Sequence, residues 1–182
     1  MKSIVVYGSR HHNTEKVAYA IAAGLSRGGE AHVLPIAQAP VVIPDYVTLL
    51  VIGGPTEAHG MTKPVAEYIG ALSGVSGQLV AVFDTRLRLP QWLSGSAAAG
   101  MARKLRTAGA NDVAGPVSFF VKGKEPAVLE PGELERAEAW GAALTEREPR
   151  KAAPQKKAEA AMATSGAKTA AIDADVLQHT RC

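Results

Sequence analysis

Apolar residues along this chain fall into two alternating patterns. Short β-branched runs end in glycine or proline, and longer stretches repeat their apolar positions every three or four residues. The run "SIVVYG" (3–8) reads as a strand buried on both faces, because it shows no polar alternation. In "NTEKVAYAIAAGLSRGG", Val17, Ala18, Ile21, Ala22 and Leu25 trace one helical stripe. Asn13 or Thr14 can cap that helix, and Gly28-Gly29 can end it. Further strands are read in "AHVLPIA" (31–37), "YVTLLVIGGP" (46–55), "GQLVAVFDT" (77–85) and "GPVSFFVKG" (115–123). Helices are read in "TKPVAEYIGALSG", with Pro64 in its first turn, and in "SGSAAAGMARKLRTAGA" (94–110). A last helix, "EPGELERAEAWGAALTE", places acids in its first turns. Strand and helix alternate five times, which predicts an α/β domain with a parallel sheet between two helical layers and right-handed crossovers.

The pattern stops near residue 149. From there the chain is rich in Ala and Lys, has no aromatic residue and shows few large apolar side chains. Such a segment buries too little surface to offset its ordering entropy. It reads as a disordered tail (149–182) behind a folded domain (1–148), with a marginal Ala-rich helix as the alternative. The tail changes the meaning of the charge. The net +3 of the 182-residue chain comes from six Lys/Arg against three acids after 148, whereas residues 1–148 hold fourteen of each. The folded part therefore gives no reason to expect a nucleic-acid partner.

Aromatics make up 5% of the residues, so aliphatic side chains must build the core. No apolar run reaches the roughly 18 residues of a membrane span, and the first residues lack a secretory pattern, so a cytoplasmic location is expected. Cys182 is the one cysteine, which excludes an intrachain disulfide. Histidines at 11, 12, 32, 59 and 179 do not form a metal-ligand series. No Ser/His/Asp spacing and no H-E-x-x-H pattern is present, so no catalytic set is assigned.

The chemistry-bearing stretch is "YGSRHHNTEKVA" (7–18). In a sheet of this kind ligands bind beyond the carboxyl ends of the strands. The first loop lies at such an end and opens a helix, so its N–H groups and the helix dipole favour an anion. Ser9 and Thr14 add hydroxyls and Asn13 an amide. Each hydrogen bond to a charged phosphate is worth roughly 1.5–3 kcal/mol. On the loop alone, these side chains either help hold a phosphate or only cap the helix. Neither G-x-x-x-x-G-K-[ST] nor G-x-G-x-x-G is present, so a P-loop and a dinucleotide site are unsupported.

The segment "IVVYGSRHHNTEKVAYAIAAGL" resembles the opening of the flavodoxin family, which carries a strand, a loop of the type S-x-T-G-N-T or S-x-x-G-N-T, and a helix. Ser9, Asn13 and Thr14 match that loop. His12 stands at its glycine and His11 where many members have threonine. The resemblance covers residues 2 to 145 and implies a three-layer flavodoxin-like sandwich with a five-stranded parallel sheet in the order 2-1-3-4-5. It also implies FMN, its phosphate held by Ser9, Arg10, His11, His12, Asn13 and Thr14. Where the loop needs positive φ, a residue other than glycine costs about 1–3 kcal/mol, and histidine tolerates that region better than most. A protonated His11 or His12 would pair with the phosphate.

By the same resemblance, Pro55, Thr56, Glu57, Ala58, His59 and Gly60 would contact the flavin ring from one side, and Asp84, Thr85 and Arg86 from the other. Trp92 would stack on the ring or pack against the following helix. Arg86 and Arg88 stand where flavodoxins carry acids. A cation near the ring favours the reduced anion, so a less negative potential is expected, unless these arginines belong to a solvated basic face with Arg103, Lys104 and Arg106. The function implied is FMN-dependent electron transfer to a redox partner protein or a small-molecule acceptor. The alternatives are a flavin-dependent oxidoreductase of quinone or protoporphyrinogen type, and a non-catalytic interaction module of the same fold that has lost FMN.

Overall fold

The computed structural model describes residues 1–123 and 126–146, and the stretch read as a tail lies outside them. Its elements, in chain order, are β1 (Lys2–Tyr7), α1 (Asn13–Leu25), β2 (Glu30–Pro35), β3 (Leu49–Glu57), β4 (Gly60–Met61), α2 (Lys63–Ala71), β5 (Leu79–Leu87), α3 (Gln91–Ser94), α4 (Ala97–Thr107), β6 (Asn111–Asp112), β7 (Val117–Lys122), β8 (Val128–Leu129) and α5 (Glu133–Leu144). The five long strands run parallel in the order β2-β1-β3-β5-β7, which is the arrangement the resemblance implies. Three two-residue strands are added: β4 folds back on β3, β6 lies beside β5, and β8 closes the β7 edge antiparallel. Two residues are too few to show a period, so the sequence does not reveal them.

The strands read as continuous apolar runs because both faces of the sheet are covered. Ile4, Val6, Leu50, Ile52, Val80 and Val82 pack under α2 and α4, against Val65, Tyr68, Met101 and Leu105. Val5, Tyr7, Leu49, Val51, Ala81 and Phe83 face α1 and α5, against Val17, Ile21, Leu25 and Ala137. Phe83, Phe119 and Trp140 form an edge-to-face cluster with centroids 5.9–6.4 Å apart. Three of the nine aromatic residues thus meet between the sheet and α5, where such pairs add to simple burial.

Two boundaries differ from the sequence reading in ways that matter for the site. β3 runs on to Glu57 because Thr56 and Glu57 pair with β4. β5 runs on to Leu87 because Arg86 and Leu87 pair with Phe120 and Val121 of β7. Both strands therefore carry residues past the sheet edge that the sequence assigned to loops.

Candidate functional site

Three segments meet at the carboxyl edge of the sheet: the turn from β1 into α1, the β3–β4 hairpin, and the end of β5. The first leaves the sheet after Gly8, whose N–H donates to Gly53 O (2.9 Å). No protein acceptor is found among the described residues for the main-chain N–H groups from Ser9 to Glu15, and the first helical bond of α1 is Lys16 N–H to His12 O. This row of donors at a helix start is open to an anion.

The N-cap of α1 is His12, in the left-handed region at φ 58°, ψ 1°, and it makes no side-chain capping bond. The position where the resemblance expects glycine is therefore left-handed with a histidine in it. Asn13 and Thr14 do not cap the helix, contrary to one of the sequence readings. The Asn13 amide donates to Ala127 O (2.8 Å), and Thr14, 1% exposed, pairs its hydroxyl with that of Thr85 (2.8 Å). Both tie the turn to neighbouring segments. Ser9 and His11 are exposed.

The β3–β4 hairpin turns through Ala58 (φ 45°) and His59 (φ 69°), between the paired Glu57 and Gly60. A two-residue turn with both φ positive is the primed type that matches sheet twist, and it normally carries Asn or Gly. Here it stores strain. A Cβ on Gly95 would sit 2.0 Å from His59 O, so the turn lies flat against the segment ahead of α4. Arg10 reaches across from the first turn to Glu57 (3.4 Å).

At the end of β5 the structure departs from the expectations most. Asp84 is 0% exposed. Its Oδ2 accepts from Thr56 Oγ1 (2.9 Å), Ser96 Oγ (2.7 Å) and the Ala98 N–H (3.0 Å). It ties β3, β5 and α4 together and presents no carboxylate to the cleft. Arg86 donates to Ser118 Oγ, to the Leu89 carbonyl and to Ser94 Oγ, and lies over Phe120. Arg88 is held by Glu130 (2.7 Å) and Glu133 (3.5 Å). Each arginine has a carboxylate beside it, Asp84 Oδ1 at 4.0 Å from Arg86 and Glu130 at 2.7 Å from Arg88, which offsets part of the charge on which the expected potential rests. Arg103, Lys104 and Arg106 lie exposed along α4. Trp92, on α3, is 84% exposed and so does not pack against the following helix.

These segments enclose two adjoining cavities that share Ser9, Arg10, Pro55 and Glu57. The smaller, about 330 Å³, also collects His11, Asn13, Thr14, Thr56, Thr85 and Arg86 from the expected set, and adds Leu87, Val121 and Ala127. The larger, about 740 Å³, takes His12 and Ala58 toward the β2 side. His59, Gly60 and Asp84 line neither.

The sequence reading missed one polar chain on the larger cavity. Tyr7 O–H donates to Glu15 Oε1 (2.8 Å), and Glu15 Oε2 lies 2.5 Å from His12 Nδ1. The signal was present: Tyr7 ends β1, and Glu15 stands three residues after His12 on the emerging helix. Burial, then the Glu15 carboxylate, push the Tyr7 phenol from its ordinary 10 up to about 12. The His12 bond, then the Tyr7 bond, hold Glu15 below the usual carboxylate range. A phenol raised on folding adds stability that is complete below pH 10 and is lost as the pH climbs through about 12. Glu15 adds stability present above the ordinary glutamate range and lost as the pH falls through its lowered value. Tyrosinate absorbance in the native protein should therefore show two tyrosines titrating near pH 12, Tyr7 and the buried Tyr68, and Tyr7→Phe should remove one of the two. A Tyr7 titration at the ordinary value would contradict this placement.

No protein-family model matches the chain, and no curated protein matches its sequence. Solved structures do match in fold. A flavodoxin from the domain Archaea superposes with a TM-score of 0.65 at 22% identity, covering 80% of this chain and 97% of that one. The flavodoxin of Megasphaera elsdenii, solved in its two-electron reduced form, gives 0.61 at 17% identity over 79% and 98%. The flavodiiron protein from Giardia intestinalis gives 0.62 at 21% identity, and there the chain spans only 35% of the relative's length. The chain has the flavodoxin-like fold.

Proposed function

We propose that this flavodoxin-like chain binds FMN at the smaller cavity and passes electrons between that flavin and a redox partner protein or a small-molecule acceptor. One observation carries the reading. The N–H groups from Ser9 to Glu15, which find no acceptor among the described residues, stand at the start of α1, beside a cavity bordered by the ends of β3, β5 and β7. The phosphate end fits the residues present. Main-chain donors and the Ser9 hydroxyl would hold it, with the exposed His11 imidazole beside them. At the ring end, Pro55–Glu57 and Thr85–Leu87 form opposite walls. Arg86 and Asp84 act through these walls: their hydrogen bonds fix the ends of β5 and β3. FMN, when bound, supplies the electron-carrying chemistry.

Equilibrium titration tests the reading. FMN fluorescence should be quenched on binding, and riboflavin, which lacks the phosphate, should bind at least about 100-fold more weakly, as the loss of two charged hydrogen bonds requires. Equal affinity for the two, or no quenching of FMN, would overturn it.

A further inference from the structure

The larger cavity adjoins the proposed FMN site and has the attributes of a binding site of its own. Its volume of about 740 Å³ suits a small organic molecule. Pro35, Ile36, Met61 and Pro64 give it apolar walls. Its floor is closely built: a Cβ on Gly8 would lie 2.9 Å from Val65 Cγ2 and 3.1 Å from Ile36 Cδ1. Among the described residues, the non-glycine positions at positive φ are His12, Ala58 and His59, and the first two line this cavity. Residues held in such conformations concentrate at ligand sites.

The polar wall specifies the ligand. Glu15 is a carboxylate and can only accept, so the proton between it and His12 belongs to Nδ1. When the imidazole is uncharged, that tautomer leaves Nε2 as an acceptor, with the ring turned by Glu15 and Glu15 in turn held by Tyr7. The cations on the lining are already matched, Arg10 by Glu57 (3.4 Å) and Lys63 by Glu67 (3.7 Å). With that imidazole uncharged, Glu15 leaves the wall with a net negative charge, which disfavours an anionic ligand and favours a neutral donor.

We propose that this cavity binds a small, uncharged apolar molecule bearing an acidic hydroxyl of the phenol type, whose O–H donates to His12 Nε2. His12 is the recognition residue, and Glu15 and Tyr7 are positioning residues. The inference goes beyond the flavin reading and does not require it.

β-Naphthol and its methyl ether, which keeps the ring but has no O–H, are suitable probes for isothermal titration of the full chain without FMN. The naphthol should bind about 5- to 10-fold more tightly than the ether, the value of one neutral hydrogen bond. His12→Gly should abolish that preference while leaving ether binding intact, since glycine suits the φ of 58°. His12→Asn, also tolerant of positive φ, is the second variant should the first be poorly folded by circular dichroism, and it should reduce the preference. Glu15→Gln should weaken it as well. In protein saturated with FMN the naphthol should still bind. No binding of either probe, equal affinities, a preference undiminished by loss of the imidazole, or displacement of naphthol by FMN would each overturn the proposal.

Discussion

Replacing Asp84 with alanine is expected to destabilise the protein by about 3–5 kcal/mol, the usual effect of removing one member of a buried, hydrogen-bonded charge network. The fully buried carboxylate gathers the Thr56 and Ser96 hydroxyls and the Ala98 N–H on one oxygen, and Arg86 Nε lies 4.0 Å from the other. Alanine leaves these donors without their acceptor and Arg86, only 11% exposed, without its nearest carboxylate. Asp84→Asn keeps the size and one acceptor oxygen, so it should cost less. Urea unfolding followed by circular dichroism measures both, as a lower midpoint at unchanged m-value. Because Thr56 and the start of α4 lose their tie together, the β3–β4 hairpin should exchange its amides faster as well. A midpoint for Asp84→Ala equal to that of the parent would show that the network does not hold these elements.

The second large effect is expected where α1 crosses α5. A Cβ on Gly141 would sit 2.2 Å from Ile21 O, and one on Gly24 would sit 2.0 Å from Glu138 O. Both close contacts are with backbone, which cannot rotate aside. Gly141→Ala must push the helices apart, at about 1–3 kcal/mol as overpacking usually costs. Gly24→Ala strains the same crossing, so the double variant should lose less than the sum of the two. The displaced helix carries the donors of its own first turn. FMN affinity should therefore fall in Gly141→Ala even in buffer where the variant remains folded. Full stability in that variant would mean that the crossing has room the geometry does not show.

The fold was legible because it rests on long elements whose periods are unambiguous. β1, β3 and β5 are apolar without alternation because helices cover both faces, and α1 shows its stripe from Val17 to Leu25. The site was legible only as far as main-chain donors go: a loop between a strand and a helix implies them whatever its side chains. Side-chain partners were not legible, because they are set by contacts distant in sequence. Asn13 finds Ala127, Thr14 finds Thr85 and Arg88 finds Glu130. Composition showed arginines near the expected ring without showing that carboxylates, carbonyls and hydroxyls already hold them. The β3–β4 hairpin was hidden for a local reason. Ala58-His59 is not a turn pair that sequence rules recognise, since both residues pay for positive φ.

The central claim is that the N–H groups from Ser9 to Glu15 receive a phosphate. Amide chemical shifts of the nitrogen-labelled protein, recorded during addition of FMN and then of riboflavin, test it most directly. The account predicts large shifts at Ser9 through Glu15 with FMN, and far smaller ones there with riboflavin at equal concentration. Shifts confined to other residues, or the same shifts with both ligands, would contradict it.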